Sequence, residues 1–185
     1  MQRHPNLLNR KSTALVIIDI QERIVQVMNQ RDSVINNTVK LIQGFKILKN
    51  SIFYTEQYPK GLGRTDPSIL QHLVHIEPFE KITFSVCCNT DLLGKIKKTG
   101  IKQIILAGME THVCVLQSAL DFKQAGYQVY VPADCVCSRK ELDYNTALNR
   151  MIQQGVTVTS TEMILFELLQ QAGTEEFKSI SKIVK

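Results

Sequence analysis

The sequence has no tryptophan, and aromatic residues of any kind make up 6% of it. A site that stacks a flat ring on an indole is therefore excluded. No apolar run approaches the ~20 residues that a membrane span needs. The opening stretch "MQRHPNLLNRKS" has no apolar core of the kind found in secretory leaders. The expected compartment is the cytoplasm, where thiols stay reduced. The five cysteines include no C-x-x-C pair, and their odd number argues against a disulfide framework. Cys87, Cys88, Cys135 and Cys137 read as small core or loop residues.

Two phosphate and nucleophile signatures are also missing. The first strand is followed by "DIQERI", not by G-x-G-x-x-G, and "GLGRTDP" offers two glycines with no helix pattern directly after it. Nucleotide binding has no support from either. No G-x-S-x-G elbow is present for a serine nucleophile. The net charge of +5 is spread along the chain. Its densest group, "KIKKTGIK", falls at a helix end, where lysine complements the dipole. No motif stands behind nucleic-acid binding, so neither a nucleic acid nor a membrane is expected as a partner.

What the chain does contain is an alternation of strands and helices. "TALVIID" is a near-continuous β-branched run, the pattern of a strand buried on both faces. "SIFYTE", "EKITFS", "IKQIILAG", "YQVYVPAD" and "VTVTS" read as five further strands. Between them lie "DSVINNTVKLIQGFKILKN", with Asp32 or Ser33 as its cap, a short helix around "SILQHLVHI", and "TDLLGKIKKTG". "THVCVLQSALDFKQAG", "RKELDYNTALNRMIQQG", "TEMILFELLQQAG" and a last "TEEFKSISKIV" follow as helices. The spacing predicts one domain over residues 1–185. Its class is α/β: a doubly wound, mostly parallel six-stranded sheet flanked by helices in three α/β/α layers. Such folds bind ligands beyond the carboxyl ends of their strands.

Three residues at or near those ends carry chemistry. Asp19 closes the first strand, and is either a turn cap or a carboxylate held in low dielectric. Lys81 sits among Phe79, Ile82 and Phe84. It is either a charge guarding an edge strand or an inward cation. If Thr111 caps the helix after "IILAG", Cys114 lies on its first turn, where the dipole lowers a thiol pKa. The alternative for Cys114 is a small buried residue on the apolar helix face.

Taken together, "VIIDIQ", "EKITFS" and "LAGMETHVCV", in this order on an alternating α/β pattern, resemble the isochorismatase-like cysteine hydrolase superfamily. That group includes nicotinamidases and N-carbamoylsarcosine amidohydrolase. "YTEQYPKGLG" and "DCVCSR" resemble its isochorismatase-domain-containing branch. The resemblance implies a triad of Asp19, Lys81 and Cys114 that acts through an acyl-enzyme on a small amide or related carbonyl compound. Asp19 would be the proton acceptor, Lys81 its charge partner and Cys114 the nucleophile. The backbone N–H groups of Glu110 and Cys114 would form the oxyanion hole, with a cis peptide between Met109 and Glu110. Gln21, Ile24, Tyr58, Met109 and His112 are the candidate pocket residues, the alternative for His112 being a turn histidine that faces solvent.

The chain departs from the metal-dependent members, which carry Asp-x-His where Glu56, Gln57 and Tyr58 stand here, so no metal and no cofactor are expected. Ile24 replaces the aromatic residue that stacks on nicotinamide. In isochorismatases proper the cysteine position is glycine, so Cys114 argues against vinyl-ether hydrolysis. Likeness to the family also implies a homo-oligomer, with "TEMILFELL" and "YPKGLG" as candidate contacts. A second reading is a catalytically silent member that binds a small ligand or protein through the same pocket.

Overall fold

Every residue of the first and fourth strands is buried, because apolar side chains leave both faces of these strands and both faces must be covered. The computed structural model describes residues 3–185. Its strands are β1 (Thr13–Ile18), β2 (Ser51–Gln57), β3 (Phe79–Lys81), β4 (Gln103–Met109), β5 (Gln128–Pro132), β6 (Val136–Cys137) and β7 (Thr157–Thr159). Its α-helices are α1 (Glu22–Val25), α2 (Arg31–Leu48), α3 (Pro59–Leu62), α4 (Pro67–Leu70), α5 (Thr90–Lys98), α6 (Leu116–Gln124), α7 (Glu141–Gln153), α8 (Thr161–Leu169) and α9 (Glu175–Val184).

The sheet runs β3-β2-β1-β4-β5-β7, and all its pairings are parallel. These six strands are the six expected. The seventh, β6, pairs only with the end of β4, Gly108 opposite Val136 and Met109 opposite Cys137. It takes over there because β5 pairs with β4 only from Gln103 to Ile105.

Alternation along each strand divides the apolar residues into two cores. Leu15, Ile17, Ile105 and Ala107 face α2, α8 and α9, around fully buried Phe45 and Leu165. Ala14, Val16, Ile18, Ile104 and Leu106 face α5, α6 and α7, around Phe122 and Ile96. Truncating an aromatic side chain in such a core costs about 3–5 kcal/mol, so either layer is indispensable. Strand order reverses between β1 and β4, the place where ligand crevices form in open α/β sheets. Asp19 follows β1, and the turn bearing Cys114 follows β4.

Several local expectations change. The expected helix around "SILQHLVHI" shortens to α4, with turns after it. α2 has Gln30 at its N-cap with no side-chain bond, and Asp32 sits in its first turn. Ser160 caps α8 by accepting from Met163 N. The expected strand "EKITFS" ends at Lys81, and residues 82–85 bend. The bend has a physical cause: the Thr83 and Phe84 carbonyls turn back to accept from the Lys81 ammonium.

Candidate active site

Gly108 explains how the chain leaves β4. Its φ is +130°, and a Cβ there would run into the Ile18 carbonyl of β1. Only glycine lets the two central strands approach so closely at their ends. The Met109–Glu110 peptide that follows is cis. Thr111–Val115 then form a π-helical turn that feeds α6. Cys114 therefore lies in this wider turn and not on the first turn of a regular helix. Thr111 is not its cap. Glu110 holds that position without a side-chain bond, and the buried Thr111 hydroxyl has no partner.

Across the β1–β4 junction, Asp19 adopts φ +51°, a region that Asp tolerates better than most residues. Its carboxylate is fully buried. Oδ1 accepts from Thr55 Oγ1 at 2.7 Å and Oδ2 accepts from Lys81 Nζ at 2.6 Å. Both side chains of this ion pair are almost without solvent contact. A buried charge is tolerable only when it is paired and hydrogen-bonded, and Lys81 meets that condition. Its ammonium also donates to Gln57 Oε1 at 2.6 Å, Thr83 O at 3.1 Å and Phe84 O at 3.2 Å. Cys114 Sγ lies 3.8 Å from the same nitrogen. Lys81 is thus an inward cation, although β3 is an edge strand.

The electrostatics reverse one expectation. Burial pushes the Cys114 thiol up to about 12, and the Asp19 charge beside it adds to the effect; the Lys81 charge opposes both. The sequence shows the helix that would lower this thiol but not the carboxylate that raises it. Asp19 is itself pushed above the ordinary carboxylate range by burial, against the charge and hydrogen bond of Lys81 and the hydrogen bonds of Thr55 and Cys114. The resting arrangement is a thiol next to a carboxylate of raised basicity, with an ammonium against both.

The five pocket candidates fall in different places. Gln21 is buried, and its Nε2 donates to Gln57 O at 3.0 Å and Gly63 O at 2.7 Å while its Oε1 accepts from Gln57 N at 2.7 Å. Its amide shapes the loop after β2 and keeps no free N–H. Met109 is fully buried in the core on the α2 side, and Ile24 packs half-buried against that core. Tyr58 is about half exposed, its ring lying over Gly61. His112 is not a solvent-facing turn residue. It is half-buried, with Nδ1 2.9 Å from Ser138 Oγ and Nε2 4.0 Å from Asp143 Oδ2. Glu110 pairs through its side chain with Arg139 Nε at 2.9 Å. A cavity of about 300 Å³ opens beyond Ser138, walled also by Asn29, Gln30, Cys137, Glu141 and Tyr144. Asp19, Lys81 and Cys114 do not line it.

Gln57 was missed in the sequence, where it stood only as the middle of a segment lacking imidazoles. Its neighbour Glu56 is buried and faces away from Lys81. Glu56 Oε1 accepts from Thr65 N at 2.8 Å and Thr65 Oγ1 at 2.9 Å, and Oε2 lies 3.3 Å from Arg64 Nη1. Among the described residues, no three His, Cys, Asp or Glu side chains are grouped to hold a metal ion. Nor is any described helix long and apolar enough to cross a membrane.

Comparison with known proteins gives the family and the fold. The isochorismatase domain matches residues 13–163. Isochorismatase family protein 1B of Dictyostelium discoideum is 39% identical over 180 residues, a match covering 95% of this chain and 87% of that one. Among solved structures, the MAR1 ribonuclease of Caenorhabditis elegans superposes with a TM-score of 0.91 at 33% identity, covering 96% of this chain and 91% of that one. The YcaC product of Escherichia coli, described as an octameric hydrolase of unknown specificity, shares the fold with a TM-score of 0.90 at 22% identity, covering 99% of this chain and 92% of that one. Sheet order, strand-end chemistry and sequence all lead to one conclusion: the chain belongs to the isochorismatase family.

Proposed function

We propose that this protein is a metal-independent cysteine hydrolase that cleaves a small amide or related carbonyl compound through an acyl-enzyme. One observation carries the reading: a thiol, a carboxylate and an ammonium from three separate strand ends converge in a nearly water-free site. Desolvating so many charged and titratable groups costs stability, and function is the common reason for retaining such a set.

The chemistry follows from the proton inventory. Asp19 takes the Cys114 proton as Sγ attacks the carbonyl carbon, so no free thiolate has to accumulate. Negative charge develops on the carbonyl oxygen, and the Glu110 and Cys114 backbone N–H groups are the proposed donors to it. Each such donor is typically worth about 3 kcal/mol of barrier. Asp19 then passes its proton to the leaving nitrogen as the C–N bond breaks. Water attacks the resulting thioester, gives a proton back through Asp19 to the sulfur, and releases the carboxylic acid. Lys81 balances a single negative charge that moves between Asp19 and Cys114.

Cys114 is only 7% exposed, which supports a small-molecule substrate over a polymer. The test is a library of small primary amides and N-carbamoyl compounds assayed by ammonia release, with a structured RNA as a parallel arm. Wild type is expected to release ammonia from at least one amide and Cys114→Ala from none. RNA cleavage that persists in Cys114→Ala, without amide turnover, would transfer this chain to the activity named for the Caenorhabditis elegans relative. Ligand binding without turnover in either arm would make it a silent member. Assembly as a homo-oligomer is part of the proposal, supported by exposed Tyr58, Ile82, Met163 and Phe166. A sedimentation mass of one chain at micromolar concentration would contradict it.

A further inference from the structure

We infer that Gln57 is a positioning residue that anchors the Lys81 ammonium while charge moves between Asp19 and Cys114. The inference rests on the reading of those three residues as the reactive set.

An ammonium has three N–H groups and no acceptor. Around Lys81 Nζ stand four oxygens within 3.2 Å and one sulfur at 3.8 Å. Two contacts are short, to Asp19 Oδ2 and to Gln57 Oε1, both at 2.6 Å. The third N–H faces the Thr83 and Phe84 carbonyls and the sulfur. These acceptors fall into two classes. Asp19 and Cys114 change charge when the proton crosses from sulfur to carboxylate. Gln57, Thr83 O and Phe84 O do not. With Asp19 protonated, the ammonium loses its strongest partner at the moment when the thiolate needs it. An acceptor that does not titrate keeps one N–H of Nζ engaged through that change, so the ammonium divides its donors between the amide and the sulfur instead of swinging wholly to the thiolate. Gln57 is the only side chain among the three that do not titrate.

Gln57 is held firmly enough for this task. Its Nε2 donates to Ile82 O at 2.6 Å, in the same bend that wraps the ammonium. Its backbone N–H and carbonyl are both engaged by the buried Gln21 amide. The amide is therefore clamped from both ends between β2 and the segment after β3. The titratable groups near Nζ are Asp19 and Cys114; the Glu56 carboxylate on the same strand is turned to Thr65 and Arg64.

The inference can be tested without a known substrate, so its failure is distinct from failure of the hydrolase reading. The probe is iodoacetamide, with the rate read at the Cys114 peptide by mass spectrometry at pH 8. Gln57→Glu adds a negative charge against Nζ, so less of the ammonium's field reaches the sulfur. Alkylation should slow by about tenfold, the equivalent of one pKa unit. Gln57→Met removes the acceptor while keeping the volume, which frees an N–H to turn toward the sulfur. Alkylation should quicken by several-fold. Opposite shifts are expected because the effect passes through Lys81; loosened packing would move both variants the same way. Thermal melts accompany each variant, and if one does not fold, its neighbour's direction of shift relative to wild type decides. Any other pattern, equal rates or changes of like sign included, would make Gln57 a packing residue and overturn the inference.

Discussion

Cys114 and Cys135 are both buried thiols, and their surroundings differ in one decisive respect. Cys135 has no solvent contact and lies 3.0 Å from the Thr161 hydroxyl, in the core beneath α8. Burial pushes its pKa up, with the Asp134 charge adding to the effect. Cys114 is also pushed up by burial, to about 12, yet it has a base and a cation against its sulfur. Burial alone makes a thiol inert. Burial beside a carboxylate of raised basicity makes one that can be deprotonated at the moment of attack. On the proposed reading, the protein separates a structural from a reactive cysteine by the neighbours it supplies, not by the exposure it grants.

The largest way to break this contrast is Asp19→Asn. Turnover of any amide found in the screen should fall by about 10² or more, the usual worth of a general base. The fold should survive, because Lys81 keeps Gln57 Oε1 and two backbone carbonyls as acceptors. Retention of more than about a tenth of wild-type turnover would contradict the proton-shuttle role.

A smaller perturbation of the same carboxylate is Thr55→Val, which removes the 2.7 Å bond to Oδ1 at nearly constant volume. Asp19 acts as a base only when ionised, and its pKa lies above the ordinary 3.8. Wild-type activity should therefore rise with pH through a midpoint above that value. Loss of a hydrogen bond that favours the charged form raises the pKa further, so the midpoint should move up by about one pH unit. Stability changes in the opposite sense to a salt-bridged surface Asp. A carboxyl whose folded pKa is raised contributes most below its unfolded pKa, and that contribution is lost as pH rises through the folded value. An unmoved acid limb in Thr55→Val would show that another group sets it.

The smallest expected effect on activity is that of Cys135→Ala. It should leave turnover within about twofold while lowering stability by about 1 kcal/mol, as modest core truncations do. Denaturant melts and the amide assay read the two effects separately. A large loss of turnover at unchanged stability would erase the distinction between the two thiols.

The six principal strands were legible because β-branched apolar runs announce strands buried on both faces. β6 was not, since two residues in "DCVCSR" carry no period. Asp19, Lys81 and Cys114 stood out as candidates because each interrupts an apolar pattern at or near a strand end. Their ionisation was illegible. The helix after Cys114 is local and visible in sequence, whereas the burial that raises the thiol, and the Asp19 carboxylate that adds to it, depend on the tertiary fold, Asp19 standing 95 positions earlier in the numbering. Gln57 gave no signal for the same reason. An amide at a strand end is unremarkable until β3 brings Lys81 against it. His112 read as a turn residue facing solvent because its partner Ser138 lies beyond β6, a strand the sequence did not reveal.

The claim at the centre of this account is that burial and the Asp19 charge, and not the helix, hold the proton on Cys114. The most direct measurement is the pH dependence of iodoacetamide alkylation at the Cys114 peptide, in wild type and in Asp19→Asn, with exposed Cys88 replaced by serine in both. For wild type, a thiol pushed up to about 12 predicts a rate that climbs with pH from 7 to 10 without a plateau. Iodoacetamide reads the preformed thiolate, not the concerted proton transfer of turnover. In Asp19→Asn the carboxylate charge is gone and Lys81 faces the sulfur alone, so alkylation at pH 7 should quicken by about tenfold or more even as turnover is lost. A wild-type plateau below pH 8, or slower alkylation in Asp19→Asn, would contradict the account and return control of the thiol to the turn on which it sits.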